Sequence, residues 1–284
     1  MMRSRVQPQT PGAPLRLWQR LSHFLRSAKG QALLIFTALL AVAAWFEPVS
    51  RAGIAAHVLV AVLAAGLLDA PYLRVETGRW RFPTSALLTG LIVATILAPG
   101  TSLDVVAVAS VVSILGKRLI RIGTEHLFNP AVLGLLWVGW QFGSGESWWG
   151  ALANTPVAWI GALLALGWLI TSRLNKLPLV LAFLGSFYGL WTLASFVTGV
   201  DAQLASEMFR APFVQAALYL AFFMLTDPPT SPNRYSDQVW YGLVAGVGAV
   251  AASLLGAGQL YLLVATVAAN VWLAGRRLAR RRSA

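Results

Sequence analysis

The 284-residue chain has no cysteine. This rules out disulfides, thiolate nucleophiles, cysteine-ligated zinc and cysteine-held iron–sulfur clusters. Charge is almost as scarce. Asp, Glu, Lys and Arg make up 11% of the residues, against 57% hydrophobic, whereas soluble domains carry about 25% charged residues. Water does not solvate a surface that poor in charge, so a lipid bilayer must cover much of it. Only 10 acidic residues face 22 basic ones. The resulting charge of +12 would suit nucleic acid if it were clustered on one element. Instead the basic residues lie in short loops and at the termini, in the pattern of topology signals, and no nucleic-acid partner is expected.

Apolar runs with proline and glycine breaks predict an all-α polytopic membrane protein of ten transmembrane helices. The spans fall at about 31–46, 52–69, 84–98, 104–117, 127–142, 154–171, 177–198, 210–226, 237–255 and 259–275. Proline stops or starts several of them, at Pro99, at Asn129-Pro130 and at Asp227-Pro228-Pro229. With both termini in the cytoplasm, every basic residue except Arg51 and Arg210 falls on the inside. One miscounted span would spoil that asymmetry. The expected location is therefore the bacterial inner membrane, with N- and C-termini cytoplasmic.

The domain reading follows from these spans. Residues 1–30 form a basic cytoplasmic tail rather than a cleaved signal peptide. Within it, residues 15–26 read as an interfacial helix. Residues 31–275 form one membrane domain with halves at about 31–142 and 154–275, and 276–284 is a second basic tail. Five spans per half make the second half inverted. A faint echo supports this: Pro99, Thr101 and Ser102 recur as Pro228, Thr230 and Ser231. Inverted repeats with interrupted helices commonly build a site at the membrane midplane.

Ionisable residues inside the spans are nearly missing, and Asp69, Asp104 and Asp227 sit at span ends. That argues against a proton pump or voltage sensor. His57 and His126 lie at different depths, which excludes a bis-histidine haem, and His23 reads as surface. Trp148 and Trp149 read as interfacial anchors. Polar residues at the helix breaks are more telling. Asn129 starts a span beside Pro130, Asn270 lies in the last span, and Thr226, Asp227 and Thr230 share a proline-rich loop. Together they predict a site at the cytoplasmic mouth for an uncharged polar ligand or a partner.

Two stretches carry a resemblance. Phe222 to Pro232, Phe-Phe-Met-Leu-Thr-Asp-Pro-Pro-Thr-Ser-Pro, resembles a loop of the form FFMxTDPxTSP. Gly116-Lys117 followed by His126-Leu127-Phe128-Asn129-Pro130-Ala131 resembles a G-K…H-I-F-N-P-A segment. Ala86 to Leu91 and Asn270 also fall in place. These motifs are similar to those of one family of membrane proteins. It comprises the D-type membrane component of the Rnf electron-transport complex and the B-type membrane component of the sodium-translocating NADH:quinone reductase.

The resemblance implies two inverted five-helix halves related to urea channels and a non-autonomous subunit of an oxidoreductase complex. It implies a flavin (FMN or riboflavin) or a quinone, held without a covalent bond by Lys117, Asn129, Thr226, Asp227, Thr230 and Asn270. Its partners would be the lipid bilayer and other subunits of a membrane redox complex or a flavoprotein. The alternative is a channel or carrier for a small neutral solute or flavin on the same fold.

The family's covalent FMN hangs on a threonine of an S-G-A-T motif. Gly143 to Gly150 lacks that motif, and Thr155 lacks its context. The denatured chain should therefore show no flavin fluorescence in a gel. A fluorescent band that disappears with Thr155→Ala would reverse this reading.

Overall fold

The computed structural model describes residues 17–48, 51–122, 125–197 and 202–282. It is almost entirely helical. In chain order the helices are α1 (Leu17–Arg26), α2 (Ala28–Phe46), α3 (Arg51–Thr77), α4 (Thr84–Ile96), α5 (Leu103–Leu119) and α6 (Pro130–Phe142). They continue as α7 (Trp159–Leu174), α8 (Leu177–Val197), α9 (Ala202–Glu207), α10 (Phe213–Tyr219), α11 (Tyr235–Leu254) and α12 (Tyr261–Arg282). A short antiparallel pair, Arg121–Ile122 with Glu125–His126, joins α5 to α6. A 3-10 turn at Trp149–Ala151 precedes α7, and a π turn at Leu220–Met224 extends α10.

Among the described residues four segments are long and apolar enough to cross a membrane: Lys29–Phe46, Arg51–Thr77, Leu177–Val197 and Gly258–Arg281. Thr84–Ile96, Pro130–Phe142, Trp159–Leu174 and Phe213–Met224 are apolar but shorter. Leu67, Trp140, Phe196 and Leu255 stand exposed on the outside of the bundle. An exposed apolar belt of this kind belongs in lipid, and the chain is a multi-pass membrane protein.

Local chemistry sets the helix ends. Asn129 caps α6, accepting from the Ala131 N–H at 3.1 Å, with Pro130 at the first helical position. Asn175 and Gly143 end α7 and α6 in the left-handed region, which short polar or Cβ-less residues tolerate. Helix α3 runs well past the apolar stretch that ends near residue 69, and its last turns carry Arg74 and Glu76. Short helix α9 has no counterpart in the predicted spans.

Packing pairs recur along the chain. Helix α2 packs on α4, α3 on α5 and α5 on α6; later α7 packs on α10, α8 on α11 and α11 on α12. Close approach needs small residues. A Cβ on Gly90 of α4 would lie 2.7 Å from the Ala61 carbonyl oxygen and 2.9 Å from the Val62 Cα of α3. On α11, Gly242 and Gly246 present one face to α8, the spacing that lets two helix backbones touch.

The helix ends on one face of the bundle carry Lys29, Lys117, Arg118, Arg173, Lys176 and Arg276, and form the basic face. Asp69, fully buried in α3, receives Arg118 Nη2 at 2.6 Å and Lys117 Nζ at 3.5 Å. Arg118 also reaches Glu76 at 2.8 Å. Asp237 at the start of α11 receives Arg280 at 2.6 Å and Arg276 at 3.2 Å. The sequence places Asp69 at a span end but does not reveal this pairing.

Gly90→Ala should lower the thermal unfolding midpoint in detergent, at a cost of about 1–3 kcal/mol from overpacking against α3. Gly185→Ala, whose Cβ would meet nothing within 4 Å, should be neutral or slightly stabilising. Equal effects at the two positions would overturn the close-contact reading.

Candidate functional site

The site begins with a backbone problem. Helix α10 and its π turn end at Met224, because Pro228, Pro229 and Pro232 donate no backbone hydrogen bonds. The last carbonyls are left inside an apolar bundle and need donors. Asn129 Nδ2 donates to the Met224 carbonyl at 3.2 Å, and Thr226 Oγ1 donates to the Phe222 carbonyl at 2.5 Å. Asn270 of α12 joins three pieces of chain. Its Oδ1 accepts from the Asn129 N–H at 2.9 Å, and its Nδ2 donates to the Thr230 carbonyl at 3.2 Å and the Tyr241 hydroxyl at 2.6 Å. Thr230 Oγ1 donates to Asp227 Oδ2 at 3.0 Å. Asn129, Thr226, Thr230 and Asn270 are all buried.

Beside this latch, a cleft of about 210 Å³ opens on the basic face. Its apolar wall comes from Phe36, Leu88, Ile92, Ile170 and Phe223, and the Phe36 and Phe223 rings lie 5.2 Å apart. Its polar rim holds Lys29, Ser85, Thr89, His126, Asn129, Thr226 and Asp227. His126 Nε2 stands 3.9 Å from Asp227 Oδ2.

Two cations brace the loop from behind. Lys176 Nζ donates to the Pro232 carbonyl at 2.6 Å and to Asn233 Oδ1 at 2.9 Å, while Arg277 donates to the Pro229 carbonyl at 3.0 Å. Burial, then the nearby Arg277, pushes Lys176 down to about 8, against the pull of Asp227.

Of the residues singled out from the sequence, Asn129, Thr226 and Asp227 line the cleft, while Thr230 and Asn270 stand behind them in the latch. Lys117 does not line it; its ammonium faces Asp69. Lys29, Thr89 and Phe36 were missed. Phe36 and Thr89 sit in apolar runs with no local signal. Lys29, in the basic lead before the first span, reads from the sequence only as a topology charge.

The opposite face differs from expectation. Trp148 and Trp149 are buried plugs, not interfacial anchors, with 5% and 1% exposure. The Trp149 indole donates to the Ala94 carbonyl at 2.8 Å and the Leu97 carbonyl at 3.1 Å, where α4 ends. Trp148 packs edge-on against Tyr219, whose hydroxyl lies 2.8 Å from Thr95 Oγ1. Tyr219 in turn lies 5.3 Å from Phe223 in the cleft wall. Glu146, on the loop before them, is buried as well.

Asn270→Ala strands the Asn129 N–H and the Thr230 carbonyl in the core. It should cost about 1–3 kcal/mol, lower the unfolding midpoint and loosen the 226–231 loop, read as faster hydrogen exchange there. Unchanged exchange would mean that the latch does not hold the loop.

Residues 146–272 match the NQR2, RnfD, RnfE family. No curated protein matches the chain significantly. The matched stretch contains the Thr226–Ser231 loop and Asn270; Asn129 and Lys117 lie before it. Over residues 146–272, including the Thr-Asp-Pro loop and its Asn270 partner, the chain is thus similar to the NQR2, RnfD, RnfE family.

Proposed function

We propose that the chain is a non-autonomous membrane subunit of an Rnf-like or quinone-reductase-like electron-transport system. It holds a flavin (FMN or riboflavin) or a quinone without a covalent bond in the basic-face cleft. One observation carries the reading. Segments distant in sequence converge there on a cleft with an apolar wall and a polar rim, the chemistry expected of a site for a ring system. Cysteine-free side chains do not carry electrons at useful potentials, so a bound group would supply the redox chemistry.

The residues divide the work. Phe36 and Phe223, packed against each other, would edge the ring, and Thr89, Asn129 and Thr226 would face its polar edge. Asp227 and His126 would stand at the rim beside the bound group. The volume suits a ring system, with any longer tail left outside. Asn129 already spends its carbonyl oxygen and one amide hydrogen on the protein, so at most one donor remains for a ligand.

In this reading α2 to α8 and α10 to α12 all cross the bilayer, in two inverted halves. The recurring packing pairs support that, as do the two interrupted helices, α4 and α10. The basic face is cytoplasmic by the positive-inside rule and would meet other subunits or a flavoprotein, in a bacterial inner membrane. The alternative of a channel or carrier for a neutral solute would need a path beyond the cleft, where Tyr219, Trp148 and Trp149 are buried.

The purified protein should show flavin or quinone absorption released by denaturant. Asn129→Ala and Thr230→Val should stay folded and lose roughly 5- to 150-fold in ligand affinity. A colourless protein that conducts solute in liposomes would favour the alternative. Full ligand occupancy in both variants, with Asp227→Ala lowering only the melting temperature, would make the motif structural.

A further inference from the structure

On the face opposite the cleft, the 143–148 loop folds back into the bundle. The Ala98 N–H donates to the Gly145 carbonyl at 3.1 Å, and the Ser147 and Trp148 N–H groups donate to the Ile96 carbonyl at 2.9 and 3.2 Å. The Glu146 N–H donates to Gln259 Oε1 at 3.0 Å. These bonds draw the Glu146 side chain inside, where it is 4% exposed. Among the described residues no Lys, Arg or His pairs with the carboxyl, and the neighbouring Trp148 indole is its one side-chain polar contact. The hydroxyls of Ser144, Ser147, Tyr188 and Tyr261 are buried without partners. Tyr261, at the start of α12, lies within electrostatic reach of both Glu146 and Tyr188 of α8. Those two phenols are the titratable groups facing this spot, and both are neutral near pH 7.

A buried carboxylate with no counter-ion costs many kcal/mol, so the group takes up a proton instead. Groups of three or more His, Cys, Asp or Glu able to hold a metal are absent among the described residues. We propose that the Glu146 carboxyl is an exchangeable proton site, and that its proton keeps the Trp148–Trp149 plug seated between α2, α4 and α10. Glu146 directly precedes the plug in the chain. Ionisation would demand water at Glu146 and pull the loop outward, freeing the Ala94 and Leu97 carbonyls that Trp149 satisfies. Through Tyr219 and Phe223 the plug touches the cleft wall, so proton occupancy on one face bears on the ligand site of the other.

Burial pushes Glu146 up to about 8, against a small opposing effect of the Trp148 indole. The sign follows. The released loop ionises at the ordinary carboxylate value, the seated loop at about 8. Seating is firmest in acid, weakens as pH rises between those two values, and weakens no further above the higher one.

The cysteine-free chain allows a clean test. Ala151→Cys, 1% exposed in the plug, is labelled in proteoliposomes with a membrane-impermeant maleimide. Its rate is divided by that of Gly100→Cys, exposed on the same face, which cancels the thiol's own pH dependence. The ratio should rise up to about tenfold per pH unit from about pH 6 and level off near 8, and Glu146→Gln should make it flat. A flat ratio with Glu146 present, or the same rise in Glu146→Gln, overturns the proposal. Infrared difference spectra of the unlabelled natural chain decide independently of any cysteine. A protonated-carboxyl carbonyl band absent from Glu146→Gln should titrate near 8. Its absence, or titration at the ordinary carboxylate value, also overturns it.

Discussion

The structure turns on the carbonyls of two interrupted helices. Helices α4 and α10 stop inside the bundle, and each leaves backbone acceptors where neither water nor another turn of helix reaches them. The two ends are solved differently. At the end of α4 an indole does it, with Trp149 bridging the Ala94 and Leu97 carbonyls. At the end of α10 an amide does it, with Asn129 taking the Met224 carbonyl and Asn270 holding Asn129 in turn. A donor on a large ring fills the space it serves, whereas a donor on a small amide leaves room beside it. One end is therefore plugged and the other has a cleft.

Buried charge has a related logic. Lone ions inside such a bundle would be prohibitive, and those present are shared. Asp69 is held by two cations from α5, and Asp237 by two from α12. Each cluster ties the basic-face ends of two packed helices, so the apolar lengths of α3 with α5, and of α11 with α12, are fixed in axial register. Removing one partner from such a cluster costs more than the intact pair contributes. The clusters thus specify alignment rather than add much stability. Glu146 differs, a buried carboxyl with no cation beside it among the described residues, and in the proposal above a proton takes the cation's place.

Much of this was legible in the sequence. Apolar runs, proline stops and the charge pattern place most helix ends close to where they lie, because these follow from local chemistry: α6 begins at Asn129-Pro130 and α4 ends just before Pro99, whereas α3 and α12 run on past their apolar stretches to Thr77 and Arg282. The polar residues at the breaks also drew attention to the segments that meet at the cleft. Tertiary partnership was not legible. Nothing local says that Asn270 bonds to Asn129 across 141 positions, or that Lys117 turns to Asp69 rather than to the cleft. Trp148 and Trp149 illustrate the limit. Two tryptophans after a serine-glycine loop look like interfacial anchors by composition, and only the unmet carbonyls of α4, over fifty residues away, explain why they point inward.

The cleft and the plug are coupled by geometry. Tyr219 is fully embedded between them: its hydroxyl meets Thr95 of α4, its ring meets Trp148 on one side and Phe36 and Phe223 on the other. Close-packed rings transmit displacement because gaps of even half an ångström forfeit much of their contact energy. The π turn that follows Tyr219 adds one residue to a helical turn and rotates Phe222 and Phe223 relative to a regular helix. That rotation brings Phe223 to the cleft wall and leaves the Met224 carbonyl to Asn129. The same irregularity thus sets the cleft, creates the acceptor that the latch serves, and connects both to the aromatic stack below the plug.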